Sequence, residues 1–151
     1  MARVANNELS NGYSDYITIK HGDFTAAATT QTFTLAIPAG GIVRAVGYYL
    51  ETPFDGGSTS ALALDIGDGS DPDGFLDNIE THVDATEVTY SNGTGAYIDG
   101  GSTDNEQQGK LYTSADTLDI LFTASGANVD TLDTGKITIF VDMKRLNPES
   151  V

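Results

Sequence analysis

Lys136-Ile137-Thr138-Ile139-Phe140-Val141-Asp142-Met143-Lys144-Arg145-Leu146 alternates apolar and polar side chains, with Ile137, Ile139, Val141 and Met143 falling on one face. Successive side chains of a strand point to opposite sides of a sheet, so a run of this kind is a strand with one face in a core. Gln31-Thr32-Phe33-Thr34-Leu35-Ala36-Ile37 repeats the pattern, with Phe33, Leu35 and Ile37 on one side and Thr32 and Thr34 on the other. Thr117-Leu118-Asp119-Ile120-Leu121-Phe122-Thr123 and Ala61-Leu62-Ala63-Leu64-Asp65-Ile66 read the same way, as does the shorter Tyr16-Ile17-Thr18-Ile19-Lys20. A long strand is expected over residues 42–51, where Ile42, Val43, Val46, Tyr48 and Tyr49 suit a pleated, packed surface.

Turn chemistry separates these runs. Pro38-Ala39-Gly40-Gly41 removes a backbone donor and permits positive φ, and residues 53–60 read as a loop. Phe75-Leu76-Asp77-Asn78-Ile79 reads either as one helical turn or as an irregular loop plugging one end of the domain. Residues 86–90 and 94–98 are weaker strand candidates around Asn92-Gly93, a dipeptide suited to a tight hairpin, and residues 100–109 form a polar loop. About eight strands result, and no segment carries the i, i+3, i+4, i+7 stripe of a core helix. The expected fold is therefore all-β: an antiparallel β-sandwich, jelly-roll-like, formed by residues 15–151 as a single domain, with residues 1–14 as a flexible N-terminal arm.

The 151 residues suit one core. The absence of cysteine excludes disulfides, thiolate catalysis and zinc–thiolate or iron–sulfur sites. No apolar run approaches the roughly 20 residues of a membrane-spanning helix. The polar start lacks the apolar stretch of a secretory signal, so synthesis in the cytoplasm is expected. Twenty-two acidic against seven basic residues give a net charge of −15, and no Lys or Arg occurs between Arg44 and Lys110. Nucleic acid is not an expected partner, because phosphate binding needs clustered cations. The acidic interval reads first as a solvated face.

Nothing in the chain forms a recognisable catalytic constellation. His21 and His82 are the only imidazoles, and neither has the spacing of a triad or metal motif. Carboxylates abound, but tryptophan, the common platform for a sugar ring, is absent. The strongest local candidate for chemistry is Asp65-Ile66-Gly67-Asp68-Gly69-Ser70-Asp71-Pro72-Asp73-Gly74. With Glu80 downstream, it offers Asp68, Asp71, Asp73 and Glu80 as ligands of a nonstandard calcium site, since calcium favours several oxygens on a tight turn. The first EF-hand ligand position falls on Gly69, which argues against an EF-hand. The alternative is an acidic turn whose aspartates cap nearby backbone amides.

Taken in order, several strings resemble accessory head proteins of tailed bacteriophages, the decoration or cement proteins. They are His21-Gly22-Asp23-Phe24-Thr25, then Thr32-Phe33-Thr34-Leu35 running into Ile37-Pro38-Ala39-Gly40, then Phe54-Asp55-Gly56-Gly57. Ile66-Gly67-Asp68-Gly69 with Asp71, Phe75 and Leu76 follows, then Tyr112-Thr113-Ser114-Ala115-Asp116-Thr117-Leu118 and Gly135-Lys136-Ile137-Thr138-Ile139-Phe140-Val141. The resemblance spans most of residues 17–146, although each string alone is unspecific. It implies a non-enzymatic structural protein, synthesised in the host cytoplasm and placed on the outer capsid surface. Such proteins form homotrimers that bind the major capsid protein and stabilise the shell. No family contact residue has a counterpart to carry over. As a flexible segment able to order on a neighbour, the arm supplies the expected capsid-binding residues Arg3, Val4, Leu9 and Tyr13. Two alternatives stand beside this reading: a head-fibre, collar or tail component with the same fold, and a calcium-dependent carbohydrate-binding module.

Overall fold

The computed structural model describes residues 2–5, 14–83, 95–99 and 109–145, with residues 2–5 and 99 described by backbone alone. Nine strands run through the described residues: β1 (Ala2–Ala5), β2 (Asp15–Lys20), β3 (Thr30–Ile37), β4 (Gly41–Asp55), β5 (Ala61–Gly67), β6 (Leu76–Glu80), β7 (Lys110–Tyr112), β8 (Asp116–Ser125) and β9 (Thr134–Arg145). They form a five-stranded sheet in the order β1-β2-β9-β4-β7 and a four-stranded sheet in the order β3-β8-β5-β6. Every neighbouring pair is antiparallel. Only β1–β2 and β5–β6 are consecutive strands within one sheet; every other connection crosses between sheets. Two four-stranded sheets wound alternately in this way, β2-β9-β4-β7 facing β3-β8-β5-β6, make a jelly roll. β1 adds a fifth strand along the free edge of β2.

Alternation built this core. Ile137, Ile139 and Val141 of β9, Leu35 and Ile37 of β3, and Leu118, Ile120 and Phe122 of β8 are all at most 2% exposed. In β4 both Val43 and Val46 are fully buried although they differ in parity. A register shift between Val43 and Ala45 accounts for this, because an extra residue in one strand flips the following side chains to the other face. The centre is aromatic: Phe24 meets Phe33, Phe54 and Phe122 edge to face at centroid distances of 5.2, 5.5 and 5.1 Å. That arrangement brings ring edges to ring faces, which the aromatic quadrupole favours. Gly135 (φ 128°) lies against this cluster, where a Cβ would come within 2.0 Å of the Phe54 ring.

Three expectations need correction. Residues 53–55 are not loop: β4 continues to Asp55, and Pro53 is accommodated because it falls inside the register shift between Thr52 and Asp55, where no ladder donor is required. Phe75-Leu76-Asp77-Asn78-Ile79 is neither a helical turn nor an irregular loop. Leu76–Glu80 pairs with β5, and a bulge with Asn78 at φ 52° breaks the alternation that would have marked it. Ala96–Asp99 is a short helical turn rather than a strand, its amides turned to the 74–75 region: Gly95 donates to the Phe75 carbonyl (3.1 Å) and Tyr97 to that of Gly74 (2.8 Å). Lys110–Tyr112, directly after the expected polar loop and assigned to no strand by the sequence, forms β7 and pairs with β4. The candidate strand at residues 86–90, the Asn92-Gly93 turn and residues 100–108 lie outside the described residues. Within the expected arm, Ala2–Ala5 pairs with β2, while residues 6–13 lie outside the described residues.

Phe122 touches both sheets through this aromatic cluster. Phe122→Ala is expected to destabilise the domain by about 3–5 kcal/mol. Urea unfolding followed by circular dichroism checks this, with a shifted midpoint and an unchanged slope as the expected result.

Candidate interaction surfaces

Four places in the fold carry concentrated polar or exposed chemistry: one buried ionic cluster and three surfaces. The cluster lies where β5 ends. Asp68 is 1% exposed, and its carboxylate accepts hydrogen bonds from the Ser70 amide (2.9 Å), the Asp71 amide (3.0 Å), the Tyr97 hydroxyl (3.1 Å), the Tyr112 hydroxyl (2.7 Å) and Lys110 Nζ (2.5 Å). Lys110 Nζ also donates to the Tyr97 hydroxyl at 2.8 Å and sits 4.2 Å from the centroid of that ring. Burial pushes the Asp68 carboxyl up, but Lys110, Tyr112 and the two amides outweigh it and hold it down at about 2. Burial, followed by the bond to Asp68, raises Tyr112. For Lys110, burial works to lower the ammonium, yet its bonds to Asp68 and Tyr97 leave it raised. All members are thus fixed in one protonation state near neutrality, which makes the cluster a clamp and not a proton-transfer site.

The turn that Asp68 organises is a surface of bare negative charge. Asp71 and Asp73 face each other there, and the shared hydrogen bond, burial and repulsion raise the Asp71 carboxyl. Pro72, Asp73, Asp77, Asn78 and Asp65 line a hollow of about 390 Å³ beside it. Gly67 is required at the root of this turn, since a Cβ would meet the Asp71 carbonyl oxygen at 1.9 Å.

The basic residues gather on the other sheet, the five-stranded one. Arg3, Lys20, Arg44, Lys110, Lys136, Lys144 and Arg145, all seven basic residues of the chain, lie on its strands, and none lies on β3, β8, β5 or β6. Register places Tyr16 beside Phe140 (centroids 6.4 Å apart) and Thr18 beside Thr138, whose hydroxyls share a hydrogen bond of 3.0 Å. Tyr49, paired with Thr138 in the same row, is 43% exposed. Arg44 pairs with Asp142 at 2.9 Å and Lys136 with Glu51 at 2.6 Å. Where this sheet meets the end of the sandwich, Lys20, His21, Lys136, Thr52, Asp133 and Thr134 line a second hollow of about 370 Å³.

These positions can be set against the sequence reading. Of the four expected calcium ligands, Asp68, Asp71 and Asp73 share one turn, with Asp68 turned inward to Lys110, while Glu80 lies on β6 and accepts the amides of Leu62 (2.9 Å) and His82 (2.8 Å). Among the described residues no group of three or more His, Cys, Asp or Glu is arranged to hold a metal. Of the expected capsid-binding residues, Arg3 and Val4 lie on β1, opposite Ile17 and Tyr16, and Leu9 and Tyr13 lie outside the described residues. His82 is buried, with Nε2 3.6 Å from Asp55 and no hydrogen-bond partner on either ring nitrogen. Sequence reasoning missed Lys110, Tyr97 and Tyr112 altogether. Their one visible signal was that Lys110 ends a cation-free interval rich in carboxylates.

No protein-family model matches the chain, and no curated protein does. Among solved structures it is similar to a chain of the structure described as the cyanophage Pam1 capsid asymmetric unit, with a TM-score of 0.54 and 17% identity, over 97% of this chain and 94% of that one. At that identity the likeness is one of fold, and it extends over essentially the whole chain.

The depressed Asp68 carboxyl has a signed consequence for stability. With a folded value of about 2 against an ordinary 3.8, its contribution is full above pH 4 and is lost as pH falls through the folded value, a loss on the order of 2 kcal/mol. Asp68→Asn is expected to be less stable than the parent at pH 7 and to show a flatter decline between pH 4 and 2. Guanidinium unfolding at stepped pH measures both.

Proposed function

We propose that this chain is a non-enzymatic structural protein of a phage virion, which decorates and stabilises the capsid exterior as a homotrimer bound to the major capsid protein. The observation that carries the reading is the jelly roll shared, over 97% of the chain, with a component of a cyanophage capsid asymmetric unit. A second observation supports it: the chain's chemistry is displayed on broad faces. Exposed Tyr49 and the Tyr16–Phe140 pair, with Arg44 on the same sheet, are of the aromatic and arginine types enriched in protein interfaces. The clamp at Asp68, in contrast, offers no free acid or base.

The N-terminal segment, with Arg3, Val4, Leu9 and Tyr13, is the proposed shell contact. β1 pairs with β2 and forms the edge of the five-stranded sheet. Many copies, each held by a short segment, bind a lattice with an avidity that one copy lacks.

The purified chain is expected to rebind shells stripped of it until every site is filled, and to raise the temperature at which those shells open by several degrees. Deleting residues 1–14 should reduce occupancy at least tenfold while the melting temperature of the domain stays within a few degrees. Sedimentation with shells and calorimetry measure these quantities. No binding by the intact chain would defeat the proposal; unchanged binding after deletion would defeat the role given to the segment.

A further inference from the structure

We infer that copies of this chain associate head to tail, the acidic turn of one copy (Asp71 and Asp73, with Asp77 of β6 beside it) seating in the hollow of the next that Lys20 and Lys136 line. The inference rests on the proposed oligomeric virion protein and supplies what that reading leaves open, namely which surfaces meet.

Two facts of the fold carry it. The first is segregation of charge. In a chain of net charge −15, like copies repel, and an interface forms only where the surfaces are locally complementary. All seven Lys and Arg residues lie on strands of the five-stranded sheet and none on the four-stranded sheet; of the seven, Lys110 is bonded inward to Asp68 at the turn after β5. A surface of the first kind therefore finds its complement on the second kind, present on every other copy at the same concentration.

The second is placement. The cationic hollow is built from the end of β2, the end of β4 and the start of β9. The acidic turn follows β5, which runs back from the short connection after β4, so it stands at the opposite end of the sandwich and on the other sheet. Different surfaces at opposite ends make a heterologous contact, which closes into a ring when the rotation between copies allows. The crowding that raises Asp71 beside Asp73 is relieved when ammonium groups approach both carboxylates. Glu51 already pairs with Lys136 and Asp133 lines the hollow, so the incoming carboxylates share Lys136 and engage Lys20. Tyr49 and the Tyr16–Phe140 pair, on the same sheet face, supply the apolar part of the contact.

The test is a charge exchange on the full-length chain, read as mass in solution by sedimentation equilibrium and without shells. Lys20→Glu with Lys136→Glu, and separately Asp71→Lys with Asp73→Lys, should each weaken self-association at least tenfold. All four substitutions in one chain restore complementarity and should recover assembly to within a few-fold of the parent. Salt of 1 M should weaken the parent, because the screening length falls to about 3 Å. Thermal melts of each variant establish folding. Where a reversal unfolds the domain, the neutral pairs Lys20→Gln with Lys136→Gln and Asp71→Asn with Asp73→Asn replace it, and each is expected to weaken assembly. A monomeric parent, folded single-surface variants that assemble as the parent does, or failure of the fourfold exchange to restore assembly would each overturn the inference. Because shells take no part, shell rebinding by the parent with any of these results would leave the virion reading standing and remove the interface alone.

Discussion

One buried carboxylate holds the end of the sandwich together. Asp68 gathers a turn, the edge strand β7 and the short helical turn at Ala96–Asp99, which are distant in sequence, around a single charge. β7 has three residues and pairs with β4 alone, so its two side-chain bonds to Asp68 and the partial burial of Tyr97 against Phe75 do what a longer ladder would otherwise do. A buried ion in a protein interior is tolerable only when its lone pairs are met, and here amides, hydroxyls and an ammonium meet them. The arrangement fixes where the acidic turn points.

That orientation matters because the rest of the surface is electrically divided. A jelly roll sends almost every connection from one sheet to the other, so residues of like charge that are far apart along the chain end on the same sheet. The result is that every Lys and Arg falls on the strands of one sheet, the sheet that also carries Tyr16, Tyr49 and Phe140, and none on the other.

The sequence made the strands and the core face legible because side-chain direction in a strand is fixed by local backbone geometry. Phe33, Leu35, Ile37, Leu118, Ile120, Ile137, Ile139 and Val141 are buried as their parity required. The errors fall where local pattern was interrupted: at Pro53, hidden in a register shift; at β6, whose bulge at Asn78 spoils the alternation; and at the helical turn of Ala96–Asp99, held by bonds to residues 74–75. The acidic turn was recognised from its residues, and Asp68 caps the Ser70 and Asp71 amides as one of the two readings expected, but nothing nearby in sequence announces that Lys110 and Tyr112 will also reach it.

The sequence by itself therefore determined an all-β domain with the right inward residues and an acidic turn after Ile66, because periodicity and turn propensity are short-range properties. Only the tertiary structure decided the strand order, the pairing of Asp68 with Lys110, and the collection of Arg3, Lys20, Arg44, Lys110, Lys136, Lys144 and Arg145 on one sheet. Those follow from which strands pair across the whole chain, and pairing between distant strands depends on the summed packing of two sheets, which no window of neighbouring residues contains.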